Sequence, residues 1–312
     1  MRKTALNLLK IAISAGLIAY ILLAQVNLNE LIGVIAGANW GYLAAAALLM
    51  TAGTALRALR WWALLRPLNI HVPIRTLIYL YFMGAFFNII LPSGLGGDAV
   101  KMAKLAQVTQ RGPEAIGTTL VDRATGLWVL FVMALVALPF SAQLLPPETI
   151  ASIGLITTLG VVGGFIVVGT PLLPWLGGKI KLPGQQKLER FYRSVAELGY
   201  PALGLACLVS LVFNTSLILF NIWIAESLGI HQPLGVFLLF TPIISATLAL
   251  PISISGLGVR EQTYILLFGA VGVAGSHAAA MSLLNYFLTN IVVGLLGGVL
   301  YALSSARELI KR

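Results

Sequence analysis

Two short stretches carry residue types that recognise anions. The first, Leu91-Pro92-Ser93-Gly94-Leu95-Gly96-Gly97-Asp98, is followed by Lys101; the second, Leu250-Pro251-Ile252-Ser253-Ile254-Ser255-Gly256-Leu257-Gly258, is followed by Arg260 and Glu261. Ser93-Gly94-Leu95-Gly96 aligns with Ser255-Gly256-Leu257-Gly258 without a gap. Glycines let backbone N–H groups approach a ligand closely, and a helix restarting after each tip presents the positive end of its dipole. A phosphate-bearing headgroup is the natural guest. Arg260 is the leading ligand, because a guanidinium pairs with two phosphate oxygens at once; the alternative is an Arg260–Glu261 pair that braces the tip. Asp98 reads as an N-cap at least as readily as a proton-carrying group. Lys101, one turn on, would pair with Asp98 or with phosphate. Ser93, Gly96, Gly97, Ser253, Ser255, Gly256 and Gly258 complete the two tips. Nucleotide binding is disfavoured, since no Gly-Lys-Ser/Thr follows and no βαβ pattern surrounds the glycines.

Asp122 and Arg123 are adjacent on an apolar helix and point in different directions, so each is expected to pair with another element. Arg123 also reads as a residue that snorkels to the headgroups. If an ion drives the protein, Asp98, Asp122 and Glu261 are the best placed carboxylates, with Glu261 first. His71, His231 and His277 show no ligand spacing and Cys207 stands alone, so no metal, no cofactor and no catalytic residue is expected.

The elements that would hold these residues are membrane helices. The chain is 59% hydrophobic and 10% charged, with a mean hydropathy of +0.95, far too apolar for a soluble domain. Apolar spans are expected at 5–24, 39–57, 118–140, 150–170, 201–224 and 277–303. The first is too long for a signal h-region, so mature sequence is expected at the N-terminus. The arms before the tips, Thr76 to Ile90 and Val236 to Leu250, have 15 residues each. At 1.5 Å per residue they reach about 22 Å, short of the roughly 30 Å hydrocarbon layer. The expectation is therefore six spanning helices plus two re-entrant, broken-helix hairpins at 76–110 and 236–272; eight spans is the alternative. Trp40 and Tyr42 at one interface, and Trp61 and Trp62 at the other, would form aromatic belts. A basic amphipathic segment, Gln185 to Leu198, would lie on the membrane surface. Gly294, Gly297 and Gly298 suggest close helix packing.

Basic residues set the orientation. Arg2, Lys3 and Lys10, then Arg57, Arg60, Arg66 and Arg75, then Lys179 to Arg193, then Arg307 to Arg312, alternate with polar segments free of Lys and Arg. N and C termini are thus expected in the cytoplasm, and of the 20 Lys and Arg only Arg260 falls elsewhere. The order span, span, hairpin, span in residues 1–145 returns inverted in 146–312, as an inverted-topology repeat within a single domain, 1–312. In such repeats substrate sites lie where the broken helices meet near the midplane.

Asn88-Ile-Ile-Leu-Pro92 through Gly96-Gly97-Asp98 and Lys101, Arg57-Ala-Leu-Arg60-Trp61, Asp122-Arg123-Ala-Thr-Gly126, and Pro251 through Arg260-Glu261 together resemble the lysylphosphatidylglycerol synthase transmembrane region, also called the flippase-like domain family. The resemblance covers nearly the whole chain and adds Asn88, Pro92, Arg60, Asp122 and Arg123 to the candidate substrate-binding set. It implies translocation of a lipid, with the synthase chemistry of relatives carried by a separate soluble domain for which this chain has no room. One departure from the resemblance is Lys101, where many relatives have Arg, which puts bidentate phosphate binding there in doubt.

The resulting expectation is a multi-pass flippase of the cell (inner) membrane with no reaction of its own, moving an anionic or phosphate-bearing lipid such as a phospholipid or a polyprenyl-phosphate carrier. Membrane lipids are the expected partners, with a separate lipid-modifying enzyme as candidate protein partner, no nucleic acid, and an oligomeric state left open. A membrane-embedded lipid-modifying enzyme and a non-transporting partner of a lipid-modifying complex are the rival readings.

Overall fold

The computed structural model describes residues 14–91, 96–169, 197–249, 253 and 256–310. They are helical throughout, with no strand among the described residues. α1 (Ser14–Gln25) ends in a π turn and bends by 90° into α2 (Leu28–Ala36). There follow α3 (Trp40–Leu65), α4 (Ile74–Ile90), α5 (Gly96–Thr109), α6 (Gly112–Ser141), α7 (Pro147–Gly169), α8 (Gly199–Ser227), α9 (Leu234–Ala249) and α10 (Val259–Gly269). α11 runs from Gly275 to Tyr286, widens through a π turn at Phe287–Val292, and continues over Val293–Ile310. Five helices are long and apolar enough to cross a membrane, or six if α1 and α2 count as one bent span.

The two hairpins have the shape expected of broken helices. α4 has 17 residues and α9 has 16, about 25 Å of helix each, short of the hydrocarbon layer. α5 folds back antiparallel along α4: a Cβ on Gly97 would collide with the Gly84 carbonyl, and the Lys101 Nζ lies 3.9 Å from the Tyr81 ring centroid. α10 returns along α9 in the same way, with Thr263 3.5 Å from Thr247 and Phe268 packed edge-on against Phe240 at 5.2 Å. Pro92, Ser93 and Ser255 lie outside the described residues, as does nearly all of the segment Gln185 to Leu198.

Three expectations are corrected. The polar segment between the spans expected at 5–24 and 39–57 contains α2, capped by the Asn27 side chain, which accepts from the N–H groups of Asn29 at 3.0 Å and Glu30 at 3.3 Å. The span expected at 39–57 runs on to Leu65, because Arg57 and Arg60 sit inside a helix whose neighbours supply a carboxylate and aromatic faces. Trp61 is fully buried rather than part of an interfacial belt; its indole N–H donates to Thr118 Oγ1 at 3.1 Å. Trp62 remains partly exposed and stacks beneath Arg66 at 4.4 Å.

Packing follows a paired pattern. α3 lies along α8; α4 packs on the C-terminal part of α11, and α6 on α9; α5 contacts α6, and α10 contacts α11. The α4–α11 approach depends on the glycines singled out above: a Cβ on Gly297 would run into the Phe82 carbonyl, and one on Gly298 into the Phe86 ring.

Candidate functional site: a cation-lined central cavity

The hairpins and their neighbours enclose a cavity of about 260 Å³ at the centre of the bundle. On one side it is lined by Arg57 of α3, Tyr81 and Asn88 of α4, Asp98 and Lys101 of α5, and Arg123 of α6. Facing them are Asn221 of α8, Thr241 and Ser245 of α9, Tyr264 of α10, and Asn285, Thr289 and Asn290 of α11. The π turn in α11 carries the last two into the lining, a frequent use of such widened turns.

The charged wall is unbalanced. Asp98 is ion-paired with Arg123 and lies 3.4 Å from Lys101 Nζ. Lys101 is 1% exposed, and its ammonium rests over the rings of Tyr81 at 3.9 Å and Trp61 at 4.6 Å, where the ring quadrupoles favour a cation. Beyond that Asp98 contact its Nζ has no hydrogen-bond partner among the described residues. The Arg57 guanidinium stacks over Tyr81 at 5.1 Å and Phe213 at 5.5 Å and makes no ion pair among the described residues. Three cations and one carboxylate therefore line the cavity, in surroundings that screen charge far less than water does.

Behind this wall a buried network fixes the helices that carry it. Arg60 Nε donates to Asp122 Oδ1 at 2.6 Å and its Nη1 to Ser210 Oγ at 3.0 Å. Tyr81 donates to the other Asp122 oxygen at 2.5 Å. These contacts tie α3, α4, α6 and α8 together, and Arg60 and Asp122 are 2% and 0% exposed. The expectation that Asp122 and Arg123 pair with other elements thus describes what is found. Asn88 has a local task as well: its Oδ1 accepts the Gly97 N–H at 2.7 Å, capping the buried first turn of α5 from a different helix.

The described residues after the second tip pair among themselves. Gly256 and Gly258 have φ of +80° and +81°, a conformation glycine adopts without steric cost. Glu261 accepts the Gly258 N–H at 2.7 Å and pairs with Arg260 Nη2 at 2.5 Å. Arg260 Nε also donates to Ser282 Oγ at 3.0 Å, and its guanidinium lies 4.4 Å from the Tyr286 ring centroid. Arg260, Glu261 and Ser253 are buried, and none of the three, nor Gly256, Gly258, Arg60 or Asp122, lines the cavity. Of the residues picked out in the sequence, the structure brings Asn88, Asp98, Lys101 and Arg123 to the cavity wall. Arg57 was missed because it was read as a marker of the cytoplasmic side; its place in the Arg57-Ala-Leu-Arg60 motif was the signal that could have found it.

A bundle of long apolar helices with two short hairpins around a polar cavity defines a multi-pass membrane protein. Residues 7–297 match the family described as the lysylphosphatidylglycerol synthase TM region, and the chain belongs to that family. It is also similar to the UPF0104 membrane protein PH1989 of Pyrococcus horikoshii, with 26% identity over 308 residues, covering 90% of this chain and 92% of that one.

Proposed function

We propose that this protein is a lipid flippase of the cytoplasmic membrane, with both termini inside, that moves an anionic or phosphate-bearing lipid. The headgroup passes through the central cavity while the tails remain in the bilayer. One observation carries the reading: a cavity at the meeting point of two broken-helix hairpins, with three cations and one carboxylate in its lining. Buried cations cost several kcal/mol unless they face water or a partner, so their concentration here favours an anionic guest. The paired packing of α4 on α11 and α6 on α9 supports an inverted repeat of 1–145 and 146–312, whose rocking would open the cavity to each side in turn.

The test is reconstitution of the purified chain into liposomes with a panel of headgroup-labelled lipids. Movement of an anionic lipid between leaflets, with its chemistry unchanged and lost in Arg57→Gln, is the expected result. Formation of a new lipid product would indicate an enzyme instead, and no movement of any lipid would remove the proposal.

A further inference from the structure

The charge and partners of the cavity also select among anionic lipids, an inference that rests on the transport reading above. Asp98 is the only carboxylate among the described lining residues, and it already serves both Arg123 and Lys101. Among the described lining residues three cations stand against one carboxylate, an excess of two positive charges. Arg57 makes no ion pair among the described residues, and the buried Lys101 Nζ has only the 3.4 Å contact it shares with Arg123 at Asp98. The facing wall offers hydroxyl and amide groups but no ionised side chain. The volume, about 260 Å³, is enough for several waters. It suits a phosphate group and a few attached atoms.

We infer that the preferred guest is a lipid whose head is at least a dianion, a phosphomonoester or a diphosphate, rather than a phosphodiester or an aminoacylated phosphodiester. A phosphomonoester carries close to two negative charges at neutral pH, since its second pKa is about 6. A simple phosphodiester carries one. It leaves half of the cavity's excess unmatched. An aminoacylated phosphodiester adds at least one ammonium, which makes it neutral or cationic, and the described lining holds no carboxylate besides Asp98 to receive that ammonium. The Arg57 fork and the Lys101 ammonium offer enough donors for all three terminal oxygens of a monoester, one more than a diester has.

The experiment measures displacement of a fluorescent phosphatidic acid from the purified full-length protein in a nonionic detergent at pH 7.5. The competitors are phosphatidic acid, phosphatidylglycerol and lysylphosphatidylglycerol with identical acyl chains, and inorganic phosphate. Phosphatidic acid should compete about tenfold or more better than phosphatidylglycerol, as expected for one additional charge-assisted contact. Lysylphosphatidylglycerol should compete more weakly than either. Arg57→Gln should reduce the phosphatidic acid preference to under about threefold while Arg57→Lys keeps most of it, with both melting as the parent does. Equal competition by phosphatidic acid and phosphatidylglycerol, effective competition by lysylphosphatidylglycerol, or an unchanged preference in Arg57→Gln would each overturn the dianion assignment. Inorganic phosphate competing as well as phosphatidic acid would overturn it too, marking a site for the free ion. Movement of phosphatidylglycerol in liposomes together with equal affinities would remove this inference and leave the flippase reading intact. Selective binding of phosphatidic acid without movement of any lipid would do the reverse.

Discussion

Replacing Asp122 by Asn should be among the most damaging conservative changes in this chain. The carboxylate is fully buried and accepts from Arg60 at 2.6 Å and Tyr81 at 2.5 Å. Asn keeps the shape and one acceptor oxygen but removes the charge, leaving Arg60, itself 2% exposed, to neutral partners such as the Ser210 hydroxyl. Removing one partner of a buried ion pair typically costs about 3 to 5 kcal/mol, because the other charge is left uncompensated. Tyr81→Phe loses a single hydrogen bond and should cost only about 1 to 3 kcal/mol, while the ring that supports Lys101 and Arg57 remains. Arg60→Met combined with Asp122→Leu should recover much of the loss, since replacing both partners removes the uncompensated charge along with the attraction. Melting temperatures of the purified single and double variants in one detergent give the comparison. Asp122→Asn melting with the parent protein, or a double variant as unstable as the sum of its singles, would refute this account of the network.

Three further outcomes are expected. Gly97→Ala should destabilise the first hairpin, because the added Cβ meets the Gly84 carbonyl and the Asn88 side chain; a shift of several degrees in melting temperature, absent in Gly112→Ala where a Cβ meets nothing within 4 Å, would show it. Arg260→Ala and Glu261→Ala should lower thermal stability to similar extents, because each breaks the same buried pair and leaves one charge behind; a strong loss in one and none in the other would separate the two residues and argue against bracing. Single cysteines in a Cys207→Ala background should be labelled from outside in intact cells at Gln143, and from inside only at Lys181, as the distribution of basic residues requires.

The hairpins were legible because a short arm, a Pro and a glycine cluster leave a physical trace in the sequence: 15 residues cannot cross 30 Å of hydrocarbon. The glycines of α11 were legible for a similar reason, since small residues at helical spacing mark where backbones approach. α2 was not, because nine residues beside an apolar run look like a polar connection, although Asn27 with Glu30 three residues later is an N-terminal signature. Trp61 was misplaced because aromatic residues near a predicted helix end fit an interfacial belt and a buried cation-binding wall equally well; only the positions of Lys101 and Thr118, contributed by other helices, decide between them.

Arg57 shows where reading by composition fails in a membrane protein. The bias of Lys and Arg toward the cytoplasm concerns loops, yet Arg57 lies eight residues before the end of α3 at Leu65, roughly 12 Å inside the helix at 1.5 Å per residue. Counted as a loop charge, it helps to fix orientation and says nothing of function. Placed at its depth, beside two rings in a cavity also lined by amides and hydroxyls, it is a cation held within the bundle with no ion pair among the described residues. Arg260 drew attention by breaking the charge bias, but its cost is met locally by Glu261, Ser282 and Tyr286. The distinction between the two arginines is therefore one of partners rather than of sequence position: a buried charge already matched holds the fold, and one left unmatched at a cavity is available to a guest.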